Sequence, residues 1–223
     1  MYTPAITGSG IFTPTQVITN AELVKSFNAY ADLYNTQHAK QIEAGELPAK
    51  EHSSEEFIVK ASGIEQRYVV DKTGILDPEV MHPLLRQRSD DEPSLMAEMA
   101  LDAARKALAD AGKTSADVDA VICAASNLER AYPAVAIEIQ DLLGIDGFAF
   151  DMNVACSSAT FGIQAAADMV RSGSIRSALV VNPEICSAHL EWRDRDCHFI
   201  FGDVATAVLI ERAEAAVFEQ YPQ

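Results

Sequence analysis

The stretch Asp151-Met152-Asn153-Val154-Ala155-Cys156-Ser157-Ser158-Ala159-Thr160-Phe161-Gly162-Ile163 reads as a strand end, a tight turn and the start of a helix. Residues 148–152 are short and apolar enough for a buried strand. From Cys156 the composition changes to Ala, Gln, Ile, Met and Val. That suits a buried helix to about residue 171, with Gly173 placed to end it. Cys156 then falls where strand becomes helix. Backbone N–H groups are unpaired at a helix N-terminus and the dipole there is positive. Such a place favours a thiolate and makes it a nucleophile. The plain alternative is a small buried residue, since free cysteines are often buried.

Outward from this turn, the chain alternates strand and helix signals. Residues 3–12 form a first strand ending at Pro14. The glycines of Gly8-Ser9-Gly10 fit close packing better than a dinucleotide loop, because Thr13 stands where a third glycine is needed. Asn20 is placed to cap a helix with Leu23, Val24 and Phe27 on one face. Ser53 and Ser54 open another helix, with Phe57, Ile58 and Ala61 inward and Gly63 at its end. Residues 67–70 make a short strand. Ser94 starts the clearest helix, with Leu95, Met99, Ala103 and Ala107 along its apolar side, Asp102 paired with Lys106, and Gly112 as the stop. Residues 118–125 are a strand carrying Cys123 as inert core. Ala131-Tyr132-Pro133 opens a helix to Leu143, and strands follow over 178–182 and 205–210. This order implies an α/β fold, a mixed, mostly parallel five-stranded sheet with helices on both faces. A nucleophile in such a sheet sits at a strand's C-terminal end, where Cys156 falls. Residues 33–52 and 71–93, polar or irregular and rich in Gly and Pro, read as insertions on this frame.

The chain is 48% hydrophobic, enough for a sizeable core, and its net charge of -16 argues against nucleic-acid binding. Cys123, Cys156, Cys186 and Cys197 show no disulfide-framework spacing. With no apolar run near ~20 residues and no leader pattern, a soluble cytoplasmic protein without membrane contact is expected. Cys186, His189, Cys197 and His198 are zinc-type ligands, but adjacent side chains on a strand point to opposite faces, so no metal is expected.

The segment from Asn153 to Ala166 resembles the nucleophile segment of the 3-oxoacyl-acyl carrier protein synthase III family, within the thiolase superfamily. Three further blocks match in order: Ile6 to Pro14, Ser62-Gly63-Ile64-Glu65-Gln66-Arg67, and Asp194-Arg195 with Phe199-Ile200-Phe201-Gly202-Asp203. The resemblance implies a thiolase-like layered fold, of which this chain is the N-terminal half. It implies that Cys156 takes an acyl group from a thioester and condenses it with malonyl-acyl carrier protein. The implied substrates are coenzyme A and acyl carrier protein thioesters, with no further cofactor. The implied partners are acyl carrier protein, acyl-CoA, a second copy in a homodimer, and the C-terminal half of the synthase.

Four positions bear on the substrate side of the resemblance. Phe57 stands where the family places a Trp that stacks on the adenine of coenzyme A. Arg195 matches a nucleotide-side Arg, and Ala61 replaces another. Tyr132 matches a residue that reaches across the dimer interface to the partner's acyl pocket. A smaller ring and a lost charge imply weaker coenzyme A binding, with a carrier-bound or longer acyl donor preferred. The family's second half supplies a His and an Asn for the enolate and part of the oxyanion hole. None of His38, His52, His82, His189 or His198 lies in such a motif. A fragment of a longer synthase is therefore expected, inactive in condensation alone, with a large apolar helix face exposed and poor solubility. A thiolase or polyketide-type condensing enzyme, and a non-catalytic scaffold or partner subunit, are the competing readings. Asp203 and Gly202 are read as structural.

Overall fold

A computed structural model describes residues 1–89 and 91–213. In chain order the elements are β1 (Pro4–Phe12), β2 (Gln16–Thr19), α1 (Asn20–Gln37), α2 (Ala39–Glu43), α3 (Glu55–Ser62), β3 (Gln66–Val69), α4 (Leu95–Asp110), β4 (Ala120–Ala124), α5 (Val135–Leu143), β5 (Phe148–Met152), α6 (Ser158–Ser172), β6 (Ser177–Ile185) and β7 (Asp203–Arg212). They group into two compact units. Among the described residues, one comprises Met1–Thr13, Arg88–Glu184 and 204–213, the other Pro14–Gln87 and Ile185–Asp203.

The first unit holds the five-stranded sheet, in the order β1-β7-β6-β4-β5. β1 runs antiparallel to β7, whereas β4 is parallel to both β5 and β6. Helices lie on both faces. On one, Ala166 and Val170 of α6 pack against Ala120, Ile122 and Ala124 of β4, with Ala178 and Val180 of β6. The alternate residues Val121 and Cys123 therefore face the other side, and are buried. There α5 packs on β4 and β5, and α4 on β1. The β1 glycines are packing residues: a Cβ at Gly10 would lie 2.0 Å from the Ala103 carbonyl oxygen of α4. Of the α4 stripe, Met99, Ala103 and Ala107 are buried, while Leu95 is half-exposed. On α6 the described residues do not form the broad apolar face expected for a half-synthase, whereas α5 exposes Ile137 and Leu142. The outward side of α6 carries Thr160, Gln164 and Asp168, with Phe161 as its one exposed large apolar residue among the described residues.

The second unit is built on the antiparallel pair β2–β3, with a core of Ile18, Leu23, Phe27, Ile58, Val69, Ile75, Met81, Trp192 and Phe199. α1 is capped one residue earlier than expected. Thr19 accepts from the Glu22 N–H and the Glu22 carboxylate answers to the Thr19 N–H, a capping box. Asn20 is instead buried, donating to the Ile64 carbonyl at 2.7 Å and accepting from Arg67 at 2.7 Å. In α3, Ile58 is buried but Ala61, expected inward, is exposed. The segment after α2 is pinned by two asparagines of α1. Asn35 brackets the Lys50 N–H and carbonyl, and Asn28 brackets those of Ser53. From 71 to 93 the described residues form neither helix nor strand. Asp71 organises them by accepting N–H bonds from Thr73, Gly74 and Leu84.

Candidate active site

Cys156 lies in the turn between β5 and α6 and is exposed. The helix proper begins at Ser158, two residues later than the composition suggests. The difference comes from the residue before the cysteine: Ala155 has φ 49°, left-handed backbone that no helix continues through. The turn is closed from within. The Ser158 hydroxyl accepts the Val154 N–H at 2.9 Å and donates to the Ala155 carbonyl at 2.7 Å. Ser157 at the N-cap makes no side-chain cap bond. The first-turn N–H groups of α6 thus keep their positive end toward the turn. An exposed thiol on a strand-to-helix turn of this shape can present a nucleophile to a substrate carbonyl.

The strand beneath is anchored by Asp151. From β5 its carboxylate accepts the N–H groups of Val135 and Ala136, at 2.9 and 2.8 Å, and so caps α5, which has no cap of its own. Burial raises the Asp151 carboxyl, against those two donors. α5 starts at Val135, past a cis Tyr132–Pro133 peptide and two residues after the expected opening. Tyr132 itself is 91% exposed. Cys123, on the inner strand β4, is buried, and burial pushes its thiol well up, with Asp151, Glu184 and Glu138 adding to it. It is the inert core thiol the sequence implies.

In the other unit, Phe57 and Arg195 come together, the guanidinium carbon 4.1 Å from the ring centroid. Arg195 also donates from Nε to the His52 carbonyl at 2.8 Å and lies 3.7 Å from the Asp196 carboxylate. Next to them, an open groove of about 670 Å³ is lined by Tyr30 and Tyr34 of α1 and by charges of both signs, Lys50, Arg193 and Arg195 with Glu51, Glu191, Asp194 and Asp196. Asp203 is structural: buried, it accepts from the Val70 N–H, the Ser187 N–H and the Ser187 hydroxyl. Gly202 is a close-packing residue, since a Cβ there would lie 2.6 Å from the Tyr68 carbonyl oxygen. His198 is fully buried, stacked on Phe27 at 4.5 Å, and bonded through Nδ1 to the Arg195 carbonyl. Among the described residues no three His, Cys, Asp or Glu side chains converge as metal ligands, and no helix is long and apolar enough to cross a membrane.

Comparison with known proteins bears on the whole arrangement. A family model described as 3-oxoacyl-[acyl-carrier-protein (ACP)] synthase III matches residues 150–220, the Cys156 turn included. The beta-ketodecanoyl-[acyl-carrier-protein] synthase of Pseudomonas aeruginosa is 59% identical over 194 residues, 87% of this chain and 55% of that protein. The beta-ketoacyl-[acyl-carrier-protein] synthase III of Rhizobium johnstonii is 37% identical over 163 residues, 73% of this chain and 44% of that protein. The crystal structure of 3-oxoacyl-[acyl-carrier-protein] synthase III from Aquifex aeolicus matches with a TM-score of 0.71 at 25% identity, covering 95% of this chain and 54% of that one. The chain spans about half the length of the curated relatives it matches. By sequence and by its mixed five-stranded sheet, the chain belongs to the thiolase-like 3-oxoacyl-[acyl-carrier-protein] synthase III family.

Proposed function

We propose that Cys156 is the acyl acceptor of a β-ketoacyl synthase III-type acyltransferase. Its thiolate attacks an acyl thioester, the thiol of the donor leaves, and the acyl-Cys156 is then attacked by the enolate of a decarboxylating malonyl-carrier. The carrying observation is the exposed thiol on the left-handed turn at the end of β5, in a chain 59% identical to a named β-ketoacyl synthase. The name of that relative suggests the donor. A β-ketodecanoyl product has ten carbons, two of them from malonate, so the primer is an eight-carbon acyl group. The decarboxylation and the enolate chemistry belong to the complete synthase, with acyl carrier protein and a second copy as its partners. For the donor's carrier, the state of Arg195 supports the weaker coenzyme A affinity expected from Phe57 and Ala61. Its guanidinium already covers the Phe57 ring and is tied to the His52 carbonyl.

The test is intact mass spectrometry after incubation with acetyl, octanoyl and dodecanoyl thioesters of coenzyme A and of acyl carrier protein. The expected result is one acyl group per chain, most with octanoyl, and none in Cys156→Ala. Label that survives Cys156→Ala, or acetyl-CoA outpacing every carrier-bound donor, would contradict the proposal.

A further inference from the structure

We infer that Asn153 and Glu184 are positioning residues, joined through Ser126, that hold the turn presenting Cys156. The inference rests on the proposed role of that cysteine for its catalytic meaning, but the geometry stands by itself. Asn153 uses both ends of its amide. Its Oδ1 accepts the Ala155 N–H at 3.0 Å, and its Nδ2 donates to the Ser126 carbonyl at 2.8 Å. Only one orientation of the amide satisfies both partners. Ser126, just past the end of β4, is held in turn by Glu184 of β6. The Ser126 N–H donates to Oε1 at 2.5 Å, and its hydroxyl lies 2.8 Å from each carboxylate oxygen. Two residues back along β6, Asn182 donates to the Ala124 carbonyl at 2.8 Å and accepts from Thr206 of β7 at 3.3 Å.

The C-terminal ends of three parallel strands are therefore laced side chain to backbone, and the lace ends on Ala155. A left-handed φ at a residue other than glycine persists only where its surroundings over-determine it. Here the Asn153 acceptor fixes the Ala155 N–H from one side and the Ser158 hydroxyl fixes its carbonyl from the other. The backbone of Ala155 sets the direction in which the Cys156 side chain leaves the turn. Asn153 and Glu184 touch no reacting atom in this arrangement; they act through Ser126 and Ala155 on the aim of the thiol.

The experiment compares Asn153→Ala, Glu184→Ala and Glu184→Gln with the unaltered chain, each well below its melting temperature. Two rates are followed at Cys156 by peptide mass mapping: alkylation by iodoacetamide, and acylation by octanoyl-acyl carrier protein. A loosened turn should slow acylation about tenfold or more and alkylation about threefold in both alanine variants. Glu184→Gln keeps the acceptor for the Ser126 N–H and should recover most of the loss. Alanine variants that are less stable yet react at the unaltered chain's rates would overturn the inference and leave the lace a purely stabilising one. Should an alanine variant fail to fold, Asn153→Asp carries the test. It keeps an acceptor for Ala155 but sets an oxygen against the Ser126 carbonyl, and the same slowing is expected. Absence of acylation in the unaltered chain, with Cys156 alkylated normally, would refute the acyl-acceptor reading. The alkylation rates would then still decide the lace.

Discussion

At the scale of single residues, Ala155 and His198 each have a conformation or a charge state set by their surroundings. Left-handed backbone costs an L-residue roughly 1–2 kcal/mol, and glycine escapes this at the expense of a floppier unfolded chain. Ala155→Gly should therefore leave stability unchanged or raise it by up to about 1 kcal/mol. Ala155→Val, β-branched at φ 49°, should lose about 1–3 kcal/mol. Denaturant unfolding of both variants measures the difference, and a valine variant as stable as the glycine one would contradict the backbone assignment. His198 makes a pH prediction. Burial lowers its pKa to about 4, the nearby Arg67 and Arg195 charges act in the same direction, and its bonds to backbone oppose them. The folded state thus keeps the ring neutral where the unfolded state binds a proton. Stability is full above the ordinary histidine range and is lost as pH falls from about 6.5 toward 4, at up to about 1.4 kcal/mol per pH unit. His198→Phe keeps the stack on Phe27 and should flatten that stretch of a stability-versus-pH curve. Glu22 and Asp119, lowered chiefly by the Thr19 N–H and by Arg176, add their own losses as pH falls through the ordinary carboxylate range and below it. An unchanged slope in His198→Phe would assign the effect elsewhere.

At the scale of elements, the contact of α6 with the sheet decides where the Cys156 turn sits, and Gly162 decides how close that contact is. A Cβ there would fall 2.8 Å from the Ala124 Cβ and 3.0 Å from Val180 Cγ1. Both neighbours belong to central strands with no slack. Gly162→Ala gains about 1 kcal/mol of helix propensity, yet should still be destabilised overall by about 1 kcal/mol or more from overpacking. Gly10→Ala meets a backbone carbonyl of α4 and should lose far more. Thermal melts of the two variants give the order, and a Gly162→Ala variant more stable than the parent would show that α6 can lift. The stops at Gly63, Gly112 and Gly173 and the cap at Ser94 were readable in the sequence, because each acts within its own element or at its end; the close packing of Gly162 on the sheet was not, because it depends on strands distant in sequence. The four-residue strand β2 was not, since its partner β3 lies some fifty residues away and four residues show little periodicity. Thr19 and Asn20 are both good capping types. The glutamate three residues after Thr19 was the signal that separates them. The turn of the candidate site was legible at Cys156, where a local change of composition marks it. It was not legible at Asn153, Ser126 and Glu184, which meet only because β4 lies between β5 and β6 in the sheet.

At the scale of the whole molecule, the net charge of -16 bears on the proposed carrier-borne substrate rather than on the fold. Acyl carrier proteins are acidic, so a carrier approaching this chain meets a like-charged field, whatever local contacts it makes at the end. Such repulsion acts through the long-range part of the encounter, which ionic strength controls. The screening length shrinks from about 30 Å at 0.01 M salt to about 8 Å at 0.15 M. Acylation of Cys156 by octanoyl-carrier should therefore accelerate several-fold over that range, opposite to a reaction steered by complementary charge. An octanoyl pantetheine thioester, which lacks the carrier and the nucleotide, should react at a rate nearly independent of salt. The two second-order rate constants, measured side by side by mass spectrometry, separate the field from any effect of salt on the thiol itself. Carrier-borne acylation that slows as salt rises would mean that a local basic patch, rather than the net charge, governs docking. The residues to neutralise next would then be Lys50, Arg193 and Arg195 along the groove beside α1.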